Sequence, residues 1–309
     1  MPPNMKTDPL RYRLYGLVVS SDIALPELVP ATDDAPAEIT FRHGAVPTDG
    51  LKQARALGPF CQVSDDALWL EVPDVARFLI RNGDQVDFEM APGSDEDSLR
   101  VFLLGSAIGA LLLQRGHLLL HGNAFEVGDG CVVCVGASGA GKSTLAAAMM
   151  ARGHRIVADD VCPIDRNGFV VPGMPRLKLW QDTARRLAID TSGLKRIRPA
   201  IAKFHLPLGE AFRDAPTPVK AIYVLSPWNE GRFEVEAIEG LRRFQALKAQ
   251  SYRFRYLEGM GGAARHLQQC SALSPTIRLA RIRRPRADFR IDELCDYILG
   301  DLAQHGLAA

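Results

Sequence analysis

The order of apolar and polar positions divides the chain into two parts. In the first part, short stretches of alternating apolar and polar residues predict β-strands. These stretches are residues 12–19, 37–42, 67–72, 76–81 and 85–90. Between the last two lies Asn82-Gly83, a dipeptide that favours a two-residue hairpin turn. We therefore predict a β-rich N-terminal domain over residues 1–95.

From residue 96 onward, helical patterns alternate with strands. Acidic residues at 95–97 precede a helical pattern that runs to Gln114, and negative charge suits the N-terminus of a helix. The predicted strands are 118–127, 131–135, 155–158, 172–180, 219–225 (ended by Ser226-Pro227) and 233–238. The predicted helices are 145–151, 182–187, 240–248 and 291–302, the last of them amphipathic. Alternation of this kind predicts an α/β domain over residues 96–309.

One segment of the α/β part matches G-x-x-x-x-G-K-[ST], the phosphate-binding P-loop. A short apolar strand precedes it and an alanine-rich helix follows, which is the context that this motif requires. The nine residues are Gly136, Ala137, Ser138, Gly139, Ala140, Gly141, Lys142, Ser143 and Thr144. Backbone N–H groups of such a loop surround phosphate at a helix N-terminus. Lys142 is expected to reach the β- and γ-phosphates, and the Ser143 hydroxyl to hold Mg²⁺.

Two adjacent carboxylates, Asp159 and Asp160, end the strand that follows the P-loop helix. Residues at the carboxyl ends of strands line the ligand crevice of α/β folds, provided that this strand is parallel to the one that feeds the P-loop. One carboxylate can then orient Mg²⁺ while the other takes the proton of an acceptor hydroxyl. The alternative is a pair of solvated turn aspartates. His121 interrupts an apolar strand, where a hydrogen-bonded core histidine is the alternative to a catalytic one.

Composition places the chain among ordinary globular proteins. Apolar residues make up 47% of the 309 residues and charged residues 24%, and a net charge of +1 indicates no particular partner. The N-terminus has no apolar signal segment, and the apolar run 101–113 is too short to span a bilayer, so we expect a cytoplasmic protein without membrane contact. Six cysteines form no framework. Cys131 and Cys134 lie in one strand on opposite faces, which favours packing over redox or zinc chemistry.

Several basic residues are candidates for contact with substrate. Arg176 and Lys178 share one face of the strand after the aspartate pair, and Lys203 lies among apolar neighbours. Cations of this kind stabilise charge on a transferring phosphoryl group, although a half-exposed strand would look the same. Residues 241–290 are rich in arginine with interleaved aromatics. Because no nucleic-acid motif accompanies them, we expect no nucleic-acid partner, and solvated helix faces or an acidic partner are the preferred interpretations.

Three motifs together resemble the kinase domain of bacterial HPr kinase/phosphorylase. They are His121-Gly122, the P-loop, and the segment Arg152-Gly-His-Arg-Ile-Val-Ala-Asp-Asp160, about forty residues in register. The resemblance implies a P-loop kinase core of the HPr-kinase type that phosphorylates serine hydroxyls with ATP and Mg²⁺. It places the general base on Asp159 with His121 beside it, and puts Asp160 close to the metal.

The chain also departs from that family. Thr144 follows Ser143 where the family has a glutamate, and the substrate-contact signature expected after the aspartate pair is missing. In its N-terminal segment, 12–28, the chain resembles the HPr-kinase-like proteins encoded with lasso-peptide clusters. That resemblance implies a precursor peptide with a C-terminal serine as the substrate.

Three functions therefore remain open. The first is a serine kinase acting on a peptide or protein, foremost a lasso-type precursor peptide. The second is a small-molecule kinase on the same core, and the third is an ATP-binding regulatory module without transfer activity. A homo-oligomer is compatible with each of them.

Overall fold

The computed structural model describes residues 9–198, 201–286 and 290–308. Pro199, in the middle of a basic stretch, and the N-terminal residues 1–8 lie outside the described residues. The strands are β1 (Leu10–Leu14), β2 (Leu17–Ser21), β3 (Val29–Pro30), β4 (Ile39–His43), β5 (Arg55–Gly58), β6 (Cys61–Val63), β7 (Ala67–Val72), β8 (Ala76–Arg81), β9 (Gln85–Met90), β10 (Leu118–Leu120), β11 (Gly122–Val127), β12 (Gly130–Gly136), β13 (Ile156–Asp159), β14 (Cys162–Ile164), β15 (Phe169–Val170), β16 (Arg176–Trp180), β17 (Arg196–Arg198), β18 (Ile201–Pro207), β19 (Thr217–Trp228), β20 (Glu234–Ala237) and β21 (Arg278–Pro285). The helices are α1 (Glu96–Phe102), α2 (Ile108–Gln114), α3 (Lys142–Ala151), α4 (Gln181–Arg186), α5 (Leu241–Ala249), α6 (Phe254–Gly259), α7 (Ala263–Leu273) and α8 (Ile291–Gln304), and a π-helical segment (Leu103–Ala107) joins α1 to α2.

The N-terminal residues form a nine-stranded sheet in the order β3-β1-β2-β4-β9-β8-β7-β6-β5. The Asn82-Gly83 hairpin between β8 and β9 is confirmed, with φ of 56° and 70° at these residues. The prediction of one strand over 12–19 was wrong. Tyr15 and Gly16 adopt positive φ, so the chain reverses there and β1 pairs with β2 as a hairpin. The alternation shifts by one residue at this turn, from Tyr12 and Leu14 to Leu17 and Val19, and so small a shift is easily missed in an eight-residue segment.

Helices α1 and α2 pack on this sheet and share its hydrophobic core. Asp95 caps α1 by accepting a hydrogen bond from the backbone N–H of Ser98. Leu99 and Leu111 are fully buried in the same cluster as Phe41 and Phe78 of the sheet. That cluster also contains residues that flank the aspartate pair, among them Val161 and Met174. The division at residue 95 therefore stays a prediction, since one core runs across it.

The second sheet carries the P-loop. Strand β11 pairs antiparallel with β12 on one side and with β13 on the other, so β12 and β13 run parallel to each other. The condition placed on the aspartate pair is thereby met. The prediction of one strand over 118–127 was wrong, because the chain breaks at His121. There β10 leaves to pair with β14, and the His121 backbone N–H donates to the oxygen of Gln250.

Strand β19 extends further than the sequence indicates, since Pro227 belongs to it. Its neighbour β12 ends opposite Leu225, so beyond that point β19 is paired only with β21. A proline, which lacks an N–H donor, is tolerated where one side of a strand has no ladder. The apolar face of α8 (Leu294, Ile298 and Leu302) is buried in the cluster that also contains α3.

Cys131 and Cys134 lie in different core clusters, which confirms that they face opposite sides of the sheet. In the arginine-rich segment, Arg278 pairs with Asp301, and Arg283 pairs with Glu234 and Glu236. Within residues 9–198, 201–286 and 290–308, no helix has both the length and the apolar surface needed to cross a bilayer.

Candidate active site

The loop between β12 and α3 has the backbone that phosphate binding requires. Gly136 and Gly141 have φ of 150° and 99°, which side chains with a Cβ rarely adopt. A Cβ on Gly136 would also lie 2.7 Å from the backbone oxygen of Leu225. Gly141 is the N-cap of α3, so the loop leads directly into a helix N-terminus. The exposed residues 137–139 leave the loop open to a ligand.

Lys142 curls back over the loop that precedes it. Its Nζ donates to the backbone oxygens of Gly136 at 2.8 Å and Ala137 at 3.2 Å. Bound phosphate oxygens would compete for the same ammonium group, so this position fits its expected role. Ser143 is half-buried at the start of α3, and the Thr144 hydroxyl lies 3.2 Å from that of Thr183. Ser143 therefore remains the candidate hydroxyl for Mg²⁺.

Asp159 is buried at the end of β13, with 7% of its surface exposed. One carboxylate oxygen accepts a hydrogen bond from the side-chain amide of Asn123, and the other accepts from the backbone N–H of Lys178 at 2.7 Å. Burial, reinforced by the neighbouring charge of Asp160, raises its pKa to about 6. Its carboxylate therefore gains and loses a proton close to neutral pH.

Asp160 differs from its neighbour in both conformation and charge environment. It adopts φ of 71°, and its carboxylate accepts from Lys178 Nζ at 2.6 Å. Burial alone would raise its pKa, but Lys178, with help from His121 and Lys203, holds the pKa well below its usual range. Asp160 therefore stays ionised, and oxygen ligands of that kind suit Mg²⁺. Ser143 and Asp160 carry the kind of oxygen ligand that Mg²⁺ prefers and stay the candidate ligands, although no cluster of three His, Cys, Asp or Glu side chains occurs in the described part of the chain.

His121 lies at the break between β10 and β11, beside Asp160. Its Nδ1 donates to the backbone oxygen of Asp160 at 2.9 Å, which leaves Nε2 as the nitrogen with a free lone pair. Burial, followed by the charge of Lys142, lowers the pKa of this imidazole. At pH 7 it is therefore a neutral proton acceptor and not a cation.

A cleft opens between the P-loop and the segment 249–253, and we call it the acceptor cleft. His121, Asp160 and residues 136–138 line it together with that segment. A second cleft adjoins the loop near Gly139, Thr144, Phe233 and Arg284. Asp159 lies behind Asp160 and does not line the acceptor cleft.

The structure places the three candidate substrate cations differently. Lys178 lies at the aspartate pair, as described above. Lys203 is half-buried on the neighbouring strand β18, where its Nζ lies 5.6 Å from the ring centroid of Trp180. Arg176 is buried, with Nη1 3.3 Å from the His205 Nε2, so it is not an open cation for a substrate. Their contact with substrate stays a prediction.

Two residues at the site were assigned no role from the sequence. Asn123 faces Asp159 across β11 and β13 and holds its carboxylate. Its position after His121-Gly122, as an amide inside an apolar strand, was a usable signal. Arg284 at the end of β21 donates from Nε to the backbone oxygen of Ala140 at 2.9 Å and supports the P-loop from behind. No local pattern distinguishes it from the arginines around it.

The segment Arg152–Arg155 that carries part of the family resemblance makes structural contacts. Arg152 pairs with Asp292 and Asp296 of α8, and Arg155 pairs with Glu126 of β11. These ion pairs are partly exposed, so solvent screens them and they contribute little to stability. They join α3 and β13 to their neighbours.

A strand, a glycine-rich loop and a helix N-terminus lie together here with an aspartate pair on a parallel strand, and this geometry makes the region a candidate phosphate-binding site. Residues 113–175 match the family model of the HPr Serine kinase C-terminal domain. The matched segment, 63 of the 309 residues, contains His121, the P-loop and both aspartates, and over these residues the chain is similar to the HPr serine kinase domain.

A solved structure, the HPr(Ser) kinase/phosphatase from Coxiella burnetii, is 15% identical to the chain. The match covers 61% of this chain and 96% of that one, with a TM-score of 0.27. None of the curated proteins matches the chain.

Proposed function

We propose that the protein is a serine kinase that transfers the γ-phosphate of ATP to a serine hydroxyl of a peptide or protein. The C-terminal serine of a lasso-type precursor peptide is the acceptor of first choice. One observation carries the kinase proposal: two adjacent aspartates end β13 beside the P-loop in different surroundings. Asp159 is buried and held by Asn123 and the backbone of Lys178, whereas Asp160 lines the acceptor cleft and pairs with the Lys178 ammonium group. Different surroundings of this kind allow one carboxylate to act as a base and the other to remain charged.

The residues divide the reaction between them. The acceptor oxygen forms a bond to the γ-phosphorus while the bond from that phosphorus to the β–γ bridging oxygen breaks, and ADP leaves. We assign the hydroxyl proton to Asp159, whose pKa of about 6 suits a base at neutral pH; because Asp159 does not line the acceptor cleft, the acceptor hydroxyl must pass Asp160 to reach it. Lys142 neutralises charge on the phosphates. Bound Mg²⁺, for which Ser143 and Asp160 supply oxygen ligands, would neutralise the β- and γ-oxygens further.

A peptide acceptor fits the acceptor cleft because part of its lining is exposed. Ala137, Ser138 and Arg253, which lie on both of its sides, are open to solvent. A metabolite kinase would enclose its acceptor to exclude water. The small-molecule kinase and the regulatory module therefore remain outcomes of the test.

The test is intact-mass analysis of a candidate precursor peptide incubated with the protein, Mg²⁺ and ATP. We expect a gain of one phosphate that disappears when the peptide's terminal serine is alanine or when EDTA removes the metal. Phosphorylation of the protein HPr, and not of the peptide, would identify HPr as the acceptor. No transfer to either, despite measurable ATP binding, would contradict the proposal and favour a metabolite kinase or a regulatory module.

The pH dependence of the reaction follows from Asp159. A general base works in its deprotonated form, so kcat/KM should fall tenfold per pH unit below about 6 and level off above it. Steady-state kinetics between pH 4.5 and 8.5 measure this limb. Loss of the limb in Asp159→Asn would tie it to this carboxylate, whereas an unchanged limb would assign it to another group.

A further inference from the structure

Arg253 is an exposed cation in the lining of the acceptor cleft, and the reaction described above gives it no role. It lies in the segment 249–253, directly before α6. Its φ of 52° is left-handed, a conformation that costs a residue with a Cβ about 1–2 kcal/mol. Backbone strain of this kind clusters at functional sites.

Surrounding contacts fix the direction of the guanidinium group. Its Nη2 donates to the Ser106 hydroxyl at 2.8 Å. Its central carbon lies 5.7 Å from the ring centroid of Tyr252 and 5.5 Å from that of Tyr256. A side chain that is already held in place loses little entropy when it binds a ligand, so these contacts prepare Arg253 for binding.

In the described part of the chain, no carboxylate lies within ion-pair distance of Arg253. The arginines of β21 differ in this respect, since Arg278 and Arg283 each pair with an acidic side chain. The groups that influence the pKa of Arg253 besides burial are Tyr252, Tyr256 and Cys61, none of which is charged at pH 7. A planar guanidinium in this position offers two parallel N–H donors to a carboxylate.

The position of Arg253 indicates which part of a ligand it meets. Tyr252 contacts both Arg253 and His121, and its ring centroid lies 5.9 Å from that of the histidine. His121 in turn contacts Asp160. The guanidinium is thus separated from the aspartates by two rings. This separation favours contact with a part of the acceptor beside its hydroxyl over contact with the aspartates' end of the site.

We propose that Arg253 selects acceptors by binding a carboxylate close to the acceptor serine. The proposal rests on the proposed peptide-kinase function and adds a specificity-determining residue to it. The carboxylate of a C-terminal residue and that of a neighbouring Asp or Glu side chain share this chemistry, and the experiment separates them.

Three peptides of one core sequence serve as probes. The first ends in serine with a free carboxylate, the second ends in serine amide, and the third has Ser-Glu followed by an amide. Replacing Arg253 by Gln should raise KM for the free-acid peptide about 10-fold to 100-fold and leave kcat and the KM for ATP unchanged, because uniform binding is lost. The amide peptide should be bound equally by both proteins. A selective effect on the Ser-Glu peptide instead would assign the contact to a side chain.

Arg255 provides the matched control. It is also exposed, and its Nη2 donates to the backbone oxygen of Leu57 at 2.6 Å, away from the acceptor cleft. Arg255→Gln should leave all three KM values unchanged. Arg253→Lys keeps the charge but not the two-donor geometry and should recover part of the affinity, which a merely structural role would not predict.

Two results would overturn the inference, and they differ from failure of the proposed function. If Arg253→Gln leaves the KM of both carboxylate peptides unchanged, or weakens the amide peptide equally, Arg253 does not read a carboxylate although the kinase function stands. If the unaltered protein phosphorylates none of the three peptides, the proposed function and this inference fail together.

Discussion

Replacing Asp159 by Asn is expected to lower phosphoryl transfer about 10²- to 10⁴-fold, the usual contribution of a general base, while ATP affinity stays unchanged. The amide keeps the shape of the carboxylate but cannot take a proton. Asp159 is buried and does not line the acceptor cleft, so an amide of the same shape removes no group that is exposed there. Single-turnover transfer and calorimetric titration with ATP measure the two quantities separately.

The same substitution should not unfold the protein. The pKa of Asp159 is raised from 3.8 to about 6 in the folded state, so the stability linked to this group is fully present below about pH 3.8 and is lost as pH rises through about 6. At pH 8 the wild type therefore carries an unfavourable buried charge that Asn lacks. The side-chain oxygen of Asn123 is buried without a hydrogen-bond partner. If the Asn123 side chain rotates, this oxygen can accept a hydrogen bond from the NH₂ group of the new asparagine.

Denaturant unfolding at pH 8 is expected to show a free energy of unfolding no lower than that of the wild type. Asp49→Asn, in an exposed loop of the N-terminal part, is the control and should change neither transfer nor ATP binding. Loss of ATP binding in step with transfer would contradict the assignment of Asp159 as a base. Full activity in Asp159→Asn would move the role of base to His121, whose Nε2 is free to accept a proton.

Local signals predicted the parts of the fold that local chemistry determines. Asn82-Gly83 set a hairpin turn, and the glycine spacing after β12 set the P-loop, because each depends on backbone conformations that few residues adopt. The breaks at Tyr15 and at His121 could not be read. At Tyr15 the alternation shifts by only one residue, and at His121 the pairing of β10 with the distant strand β14 decides where the strand ends.

At the site, too, the sequence predicted some features, and the fold determines the others. The motif and the aspartate pair identified the phosphate loop and two carboxylates by position. The opposite displacements of their pKa values, however, depend on the depth of burial and on the charge of Lys178, which the fold supplies. Arg176 and Lys178 share a strand face, yet one is buried against His205 and the other contacts Asp160. Periodicity places side chains on a face and does not say what covers that face.

Replacing Lys142 by Ala should weaken ATP binding about 10- to 100-fold and lower the rate of transfer by a further factor of about 10² to 10³. The ammonium group now donates to two backbone oxygens of the loop, so it is already held at the position where phosphate oxygens would lie. Its loss removes a charge-assisted contact in the ground state and one that strengthens as charge develops on the phosphoryl group.

Because both losses follow from contact with phosphate, Lys142→Ala does not distinguish a peptide kinase from a metabolite kinase, and it separates the roles of two residues instead. Asp159→Asn is expected to lose phosphoryl transfer and keep its affinity for ATP, whereas Lys142→Ala is expected to lose both transfer and ATP affinity. Lys52→Ala, on an exposed loop, controls for the loss of a positive charge. Wild-type ATP affinity in Lys142→Ala would mean that the loop does not bind phosphate through its lysine. That result would contradict the assignment of this segment as the P-loop of a kinase.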